Sequence, residues 1–154
     1  MSSSQPWAAP WLLDVNILLA WLWPKHAFHQ DALSWIEQNL ERGWATCPFT
    51  ETGFLRIVTN SAFSPLAPPV AEAHRLLRAQ MRTELGHRFW PADISCGLAG
   101  SGYLRGVVGP QQITDAYLLA LAIQNGGCLV TRDRRMRGLA PEGSSSYASL
   151  LVLP

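Results

Sequence analysis

The chain has 154 residues, of which 48% are hydrophobic and 15% are charged, and its formal net charge at pH 7 is +1. This length and composition indicate one folded domain and exclude a largely disordered protein. Because the net charge is close to zero, the composition also excludes a general attraction to polyanions. Any binding of nucleic acid would therefore depend on a local basic patch and on bound metal.

The cysteine pattern and the N-terminal region indicate in which cellular compartment the protein is expected. Cys47, Cys96 and Cys128 are odd in number and far apart, which argues against a disulfide framework and against a zinc site. The apolar stretch over residues 7–23 is interrupted by a proline, an aspartate and an asparagine, so it predicts neither a signal peptide nor a membrane span. We therefore expect a soluble, cytoplasmic protein.

The hydrophobic pattern predicts strands that alternate with helices along the chain. The predicted strands are residues 11–13, 44–46, 87–90, 128–131 and 147–153, and the predicted helices are residues 17–22, 29–41, 48–60, 70–85 and 115–125. This alternation predicts a parallel sheet between layers of helices. We find no domain boundary, so we expect a single domain over residues 1–154, in which residues 1–9 form a flexible extension.

Four carboxylates stand where an apolar run gives way to a helix or a loop. They are Asp14 in WLLDVN, Glu51 in CPFTETGF, Asp115 in QQITDAY and Asp133 in CLVTRD. In an open α/β sheet the carboxyl ends of the strands converge on one crevice, so these positions predict a single acidic site. Each acid taken alone could also be a helix cap or a turn residue, but capping does not explain why several occur at such positions.

Crowded carboxylates must either take up protons or bind cations, and oxygen ligands suit Mg²⁺ or Mn²⁺. The pattern therefore predicts a metal-dependent enzyme that acts on phosphodiesters. Asn16 and Thr114 stand beside Asp14 and Asp115, and each could hydrogen-bond a ligand carboxylate or a bound water, or could be a local cap. Arg56 follows Glu51 by five residues and could offset the repulsion between the acids, or pair with one of them.

The densest run of basic residues surrounds Asp133. It consists of Arg132, Arg134, Arg135 and Arg137. A basic run beside an acidic site would suit contacts to RNA phosphates, although a solvated surface loop would have the same composition. We therefore take Arg132, Arg134 and Arg135 as candidate RNA-binding residues.

The chain resembles the PIN-domain nucleases, and most closely the VapC-type toxins of bacterial toxin–antitoxin pairs. The resemblance runs from LLDVNILLA through GWATCPFTETGFLRIVTN to TDAYLLALAIQNGGCLVTRDRR. It implies a PIN-like fold with a parallel sheet of about five strands, and an endoribonuclease that needs Mg²⁺ or Mn²⁺ and leaves a 5′-phosphate. It also implies inhibition by a small VapB-like antitoxin and assembly as a homodimer.

The resemblance assigns roles to particular residues. Asp14, Glu51, Asp115 and Asp133 stand at the four acidic positions of the family, with Asp14 and Asp115 as direct metal ligands and Glu51 acting through water. Asn16, Thr114 and Arg56 match polar flanking positions. The chain departs from the family's pattern in residues 93–112, which are rich in glycine here, so the role of that segment is open.

The alternative to an enzyme is a PIN-like module that binds RNA or a partner protein without cutting. A phosphoacceptor receiver domain fits poorly because the chain has neither adjacent acids after its first strand nor a late lysine. A haloacid-dehalogenase phosphatase would need an aspartate where Asn16 stands. Metal-dependent turnover separates an enzyme from a binding module.

Overall fold

The computed structural model describes residues 10–98 and 101–154, which form five parallel strands and five α-helices. The strands are β1 (Trp11–Leu13), β2 (Trp44–Thr46), β3 (His87–Phe89), β4 (Cys128–Thr131) and β5 (Leu150–Val152). The helices are α1 (Val15–Leu22), α2 (His29–Asn39), α3 (Pro48–Val58), α4 (Val70–Gln80) and α5 (Ile113–Gln124). The extension predicted for residues 1–9 lies outside the described residues.

All four strand pairings are parallel, and the strand order is β3-β2-β1-β4-β5. The predicted α/β fold with a central parallel sheet of about five strands is therefore confirmed. Because β1 lies at the centre between β2 and β4, the ends of these three strands are neighbours at one edge of the sheet.

Alternate residues of the central strands enter two separate hydrophobic cores. Trp11 and Leu13 of β1 face the core formed with α1, α2, α3 and α4, whereas Leu12 faces the core formed with α5. This alternation follows from the two-residue period of a strand, and burial on both faces explains why the central strands β1, β2 and β4 are mostly apolar. None of the helices within the described ranges is long and apolar enough to cross a membrane.

Four of the five predicted helices end earlier than their sequence pattern indicates, α2 and α3 by two residues, α5 by one and α4 by five. The helix predicted for residues 70–85 ends at Gln80, and residues Thr83–Leu85 form a short 3-10 helix instead. The chain leaves the helix at Met81, whose ψ is 62°, and turns into β3 through Gly86, whose φ of 80° is one that glycine adopts at little cost. In the same way, α2 ends at Asn39 and a 3-10 helix covers Leu40–Arg42.

The last predicted strand is shorter than its sequence pattern suggests. Residues Tyr147–Ser149 form a 3-10 helix, and β5 pairs with β4 only over Leu150–Val152. The glycine-rich segment of residues 93–112 contains two 3-10 helices, Ser101–Leu104 and Pro110–Gln112, and its residues 99 and 100 lie outside the described part of the chain.

Candidate active site

Asp14 directly follows β1 and caps the N-terminus of α1. Its Oδ1 accepts a hydrogen bond of 2.7 Å from the backbone N–H of Val15, and its side chain is almost completely buried, with 7% exposure for the residue. Burial is the main cause that raises the pKa of Asp14, and the charge of Asp133 raises it further, whereas the hydrogen bonds from Thr131 and Val15 lower it. A buried carboxylate at the end of the central strand is the first component of the site.

Thr131, the last residue of β4, binds Asp14 across the sheet. Its hydroxyl donates a 2.7 Å hydrogen bond to Oδ2 of Asp14, and its oxygen accepts from the backbone N–H of Asp133. The side-chain amide of Asn16 donates to Thr131 over 2.9 Å and to Asp14 over 3.4 Å, while its Oδ1 accepts from the backbone N–H of Arg132. Asn16 therefore lies against the acid as its position in the sequence predicted.

Sequence reasoning missed Thr131. The signal that could have identified it is its position as the last residue of an apolar run, two residues before an acid. In a parallel sheet such a residue lies beside the end of the neighbouring strand, and here the register places Leu13, which precedes Asp14, opposite Val130, which precedes Thr131. The strand pairing therefore brings a hydroxyl to Asp14.

Asp115 is the third residue of α5 and lies close to the other two aspartates. Burial and the charges of Asp14 and Asp133 raise the pKa of Asp115 from its ordinary value of 3.8 to about 6, and Arg135 partly opposes this rise. Within the described residues, its carboxylate accepts no hydrogen bond from any other group of the protein. Asp115 is therefore a half-buried acid whose ionised form would be stabilised by a bound cation.

Asp133 is held by Arg135 in a two-pronged ion pair. Nε of Arg135 lies 3.0 Å from Oδ1 and a terminal nitrogen lies 2.8 Å from Oδ2, and the backbone N–H of Arg135 also donates to Oδ1. These bonds are the main reason that the pKa of Asp133 lies below its ordinary value. Arg135 thus binds both oxygens of Asp133, and Oδ2, which accepts one bond, keeps a lone pair for a metal ion while this ion pair persists.

Glu51 lies in the first turn of α3, beside the end of β2, which is the strand next to β1. Its Oε2 accepts a 2.8 Å hydrogen bond from the hydroxyl of Thr46, the last residue of β2. The charges of Asp14 and Asp133 contribute to the raised pKa of Asp115, and the charge of Asp133 contributes to that of Asp14, whereas Glu51 is not among the groups that shift these pKa values. The structure thus couples three of the four predicted acids electrostatically and places the fourth at the start of α3, beside the end of β2.

Two of the predicted flanking residues make no such contact. Thr114 is exposed in the first turn of α5, and its hydroxyl makes no hydrogen bond to the described residues. Arg56 is exposed on α3 and forms no ion pair within residues 10–98 and 101–154. Their roles beside the acids stay predictions.

The candidate RNA-binding arginines have different environments. The guanidinium of Arg132 lies 3.5 Å from the centre of the Phe28 ring and donates to the carbonyl oxygen of Pro154, so it already has contacts within the protein. Arg135 pairs with Asp133, although its side chain is 79% exposed. Arg134 is exposed beside them. Arg134, Arg135 and Arg137 are the members of the basic run that are open to solvent.

A pocket with a volume of about 310 Å³ opens between the acids and the segment that precedes α5. Asp115, Asp133 and Arg135 line one side, and residues of the segment 108–112 line the other. The side chain of Gln112 ties the two together, because its Oε1 accepts from the N–H of Val108 and its Nε2 donates to the carbonyl oxygen of Arg135. Part of the segment whose role the sequence left open thus forms a wall of the site.

The donor set suits a hard divalent cation. Asp14 and Asp115 supply carboxylate oxygens, which Mg²⁺ and Mn²⁺ prefer. The raised pKa of Asp115 reflects its burial first and then the negative charges of Asp14 and Asp133. As the side chains stand in the described residues, no three acids, histidines or cysteines converge closely enough to hold an ion. The aspartates therefore fit the ion by their chemistry, and Asp133 could contribute the free lone pair of its Oδ2.

Comparison with known proteins decides the family. A family model of the PIN domain matches residues 11–140. The chain belongs to the PIN domain family.

Within the PIN domain family, the chain is similar to several ribonucleases of Mycobacterium tuberculosis. It is 41% identical to Ribonuclease VapC38 over 142 residues, which cover 92% of this chain and 98% of that protein. It is 39% identical to Ribonuclease VapC39 over 86% of this chain and 94% of that protein, and 39% identical to Ribonuclease VapC44 over 87% and 93%. The resemblance to VapC-type proteins is thus confirmed over most of the chain.

Proposed function

We propose that this protein is a metal-dependent endoribonuclease toxin of the VapC type. The observation that carries the proposal is the electrostatic coupling of three aspartates from separate parts of the fold. Beyond the effect of burial, the charges of Asp14 and Asp133 raise the pKa of Asp115, and the charge of Asp133 raises the pKa of Asp14. Acidic side chains whose pKa values are raised by burial and by neighbouring acids are typical of functional sites. The similarity to VapC ribonucleases along nearly the whole chain supports RNA as the substrate.

The proposed cofactor is Mg²⁺ or Mn²⁺. Asp14 and Asp115 would hold it directly, Glu51 through a water molecule, and Asp133 through the lone pair that Arg135 leaves free on Oδ2. When bound, such an ion makes hydroxide available from water at neutral pH and neutralises charge that develops on the phosphoryl oxygens.

The remaining side chains prepare the site for this chemistry. Thr131 and the N–H of Val15 fix both oxygens of Asp14, and Asn16 holds Thr131 in turn. Arg134 and Arg135 would contact RNA phosphates beside the acids, and Arg135 would exchange its bond to Asp133 for one to a phosphate. Hydrolysis would leave a 5′-phosphate on the product.

The proposed partners are the RNA substrate, a cognate VapB-like antitoxin that blocks the acidic cleft, and a second copy of the chain in a homodimer. The relatives' names support the antitoxin, because VapC proteins are the toxins of such pairs. We also propose a single PIN domain that acts in the cytoplasm.

The test is cleavage of a mixed RNA pool by purified protein, free of antitoxin, with Mn²⁺ or Mg²⁺ and with EDTA. Asp14→Asn should lower the rate by at least about a hundredfold, because it removes a ligand charge and keeps the side chain's shape. Asp31→Asn is a matched control, since Asp31 is an exposed acid in the first turn of α2 and should leave the rate unchanged. Cleavage that persists in EDTA or in Asp14→Asn would contradict the proposal. A folded wild-type protein that cuts no RNA would favour the binding module.

A further inference from the structure

A hydrogen-bonded chain of three side chains runs from β3 through β2 to α3. Nε2 of His87 lies 2.8 Å from the hydroxyl oxygen of Thr46, and that hydroxyl lies 2.8 Å from Oε2 of Glu51. Thr46 is fully buried and His87 is 9% exposed. The chain links a buried histidine, for which the proposed function gives no role, to one of the four predicted acids.

The chemistry of the three groups fixes the direction of the bonds. An ionised carboxylate only accepts hydrogen bonds, so the single hydroxyl proton of Thr46 points to Glu51. The oxygen of Thr46 then accepts from His87, which requires the proton of the imidazole to be on Nε2. One tautomer of His87 is therefore compatible with the chain.

The histidine ring has little freedom to leave this position. It packs against Trp44, with 4.6 Å between ring centres, and the indole N–H of Trp44 donates to the carbonyl oxygen of Leu85. The backbone N–H of His87 is bonded to the carbonyl oxygen of Arg82. A fixed imidazole in turn orients the hydroxyl of Thr46.

The need of the buried Thr46 and His87 for hydrogen-bond partners does not explain why Thr46 is also bonded to Glu51. Thr46 and His87 could satisfy each other in a pair, but the proton of Thr46 is used on Glu51, whose side chain is partly exposed and could turn to water. Within the described residues, Oε1 of Glu51 has no hydrogen-bond partner. One oxygen of Glu51 is thus tethered and the other is left open.

We infer that Thr46 and His87 are positioning residues that fix the carboxylate of Glu51 and leave its free oxygen to act on a water or ion in the acidic site. This inference rests on the proposed function. It assigns a role to two residues that lie outside the acidic cluster, and it explains why β2 ends in a hydroxyl residue. Side chains that orient a ligand in this way commonly change metal affinity or activity by about 10- to 100-fold when removed.

The first test uses variants that separate the hydrogen bonds from the packing. Thr46→Val keeps the shape and removes the hydroxyl, whereas Thr46→Ser keeps the hydroxyl; His87→Phe removes the donor, whereas His87→Gln offers one. We expect Thr46→Val to weaken Mn²⁺ binding, measured by calorimetry, by about tenfold and to lower kcat by a similar factor at unchanged KM. Thr46→Ser should remain within about threefold of wild type, and His87→Gln should recover part of what His87→Phe loses. Equal Mn²⁺ affinity in folded Thr46→Val and wild type would overturn the inference.

The second test does not depend on cleavage. Nitrogen NMR of the imidazole should find the proton of His87 on Nε2 in the wild type, and the signals of the Glu51 side chain should indicate greater mobility in Thr46→Val. A proton on Nδ1 of His87, or a Glu51 side chain equally ordered in both proteins, would overturn the positioning role even if the wild type cuts RNA. Absence of RNA cleavage by a wild type that passes the NMR test would count against the proposed function alone.

Discussion

Asp115 has a pKa of about 6, which makes the stability of the metal-free protein depend on pH in a defined direction. Its pKa in the folded state lies above the ordinary value of 3.8, so the folded protein favours the protonated form. The stabilisation that protonation gives is fully present below about pH 4 and is lost as the pH rises through about 6. At pH 8 without metal, the charge of Asp115 opposes folding.

We therefore predict that Asp115→Asn raises the melting temperature at pH 8 in EDTA. The full linkage value for two pKa units is about 3 kcal/mol, and we expect about 1–2 kcal/mol because Asp115 is half-buried and partly screened by solvent. The difference from wild type should shrink between pH 8 and pH 5, as Asp115 gains its proton. Calorimetry at both pH values measures this.

The control is Asp31→Asn, which makes the same change at the third residue of another helix, α2. It should not stabilise the protein at pH 8, because Asp31 is exposed and removing a first-turn acid weakens a favourable interaction with the helix dipole. If Asp115→Asn and Asp31→Asn changed the melting temperature alike, the repulsion assigned to Asp115 would be wrong.

The residues of the site differed in how far the sequence could predict them. Asp14 and Asp133 were predictable because each follows an apolar strand, and their neighbours in the chain are visible in the sequence. Thr46 and Thr131 were not predicted, because their partners Glu51 and Asp14 depend on strand ends and helix starts that only the folded sheet brings together. Sequence spacing carries no signal for such bonds across the fold.

Among the secondary-structure elements, β2 and β4 act on the site in the same way. They flank β1 on either side, and each ends in a buried threonine that donates to an acid at the start of a neighbouring helix. The position of each strand along β1 therefore determines whether hydroxyl and carboxylate meet. A shift of β4 relative to β1 would separate Thr131 from Asp14.

Gly127 allows β4 to lie in its observed register. A Cβ atom at this position would lie 2.7 Å from the carbonyl oxygen of Pro10 and 2.5 Å from the ring of Trp90, which is buried. The same carbonyl oxygen accepts a 3.1 Å hydrogen bond from the N–H of Cys128, so the backbone cannot move away without losing that bond. A side chain at position 127 would thus clash with neighbouring atoms at the start of β1 and β4.

We predict that Gly127→Ala lowers the free energy of unfolding by about 1–3 kcal/mol, the usual cost of overfilling a packed interior. Urea unfolding followed by tryptophan fluorescence measures the change. Gly138→Ala is the control, because a Cβ there meets open space and should alter stability by no more than about 0.5 kcal/mol. Equal stability of Gly127→Ala and Gly138→Ala would show that the structure accommodates the added Cβ atom at position 127 with no loss of stability.

At the level of elements, helix ends were the least predictable feature. The apolar stripe of α4 continues beyond Gln80, but the chain must turn back to bring His87 beside Trp44 of β2. That turn is imposed by the sheet and not by local helix propensity. The existence and type of all five strands and five helices followed from the apolar pattern, since burial dictates that pattern directly.

In the whole molecule, the sheet separates two hydrophobic cores and exposes one edge where the acids gather. The alternation of strands with helices predicted a parallel sheet, but several strand orders satisfy the same pattern. The observed order matters for function because it places β1 between β2 and β4, and so collects Asp14, Thr46 and Thr131 at adjacent strand ends. The pocket beside Asp115 is closed by residues 108–112, which the sequence left without a role.

The central claim is that carboxylates from separate elements form one cation site, and anomalous diffraction from crystals soaked in Mn²⁺ tests it most directly. We predict an anomalous peak in contact with the carboxylates of Asp14 and Asp115, and loss of that peak in Asp14→Asn. The claim would be contradicted if wild-type crystals at neutral pH showed no Mn²⁺ at these carboxylates, or bound it only elsewhere on the protein.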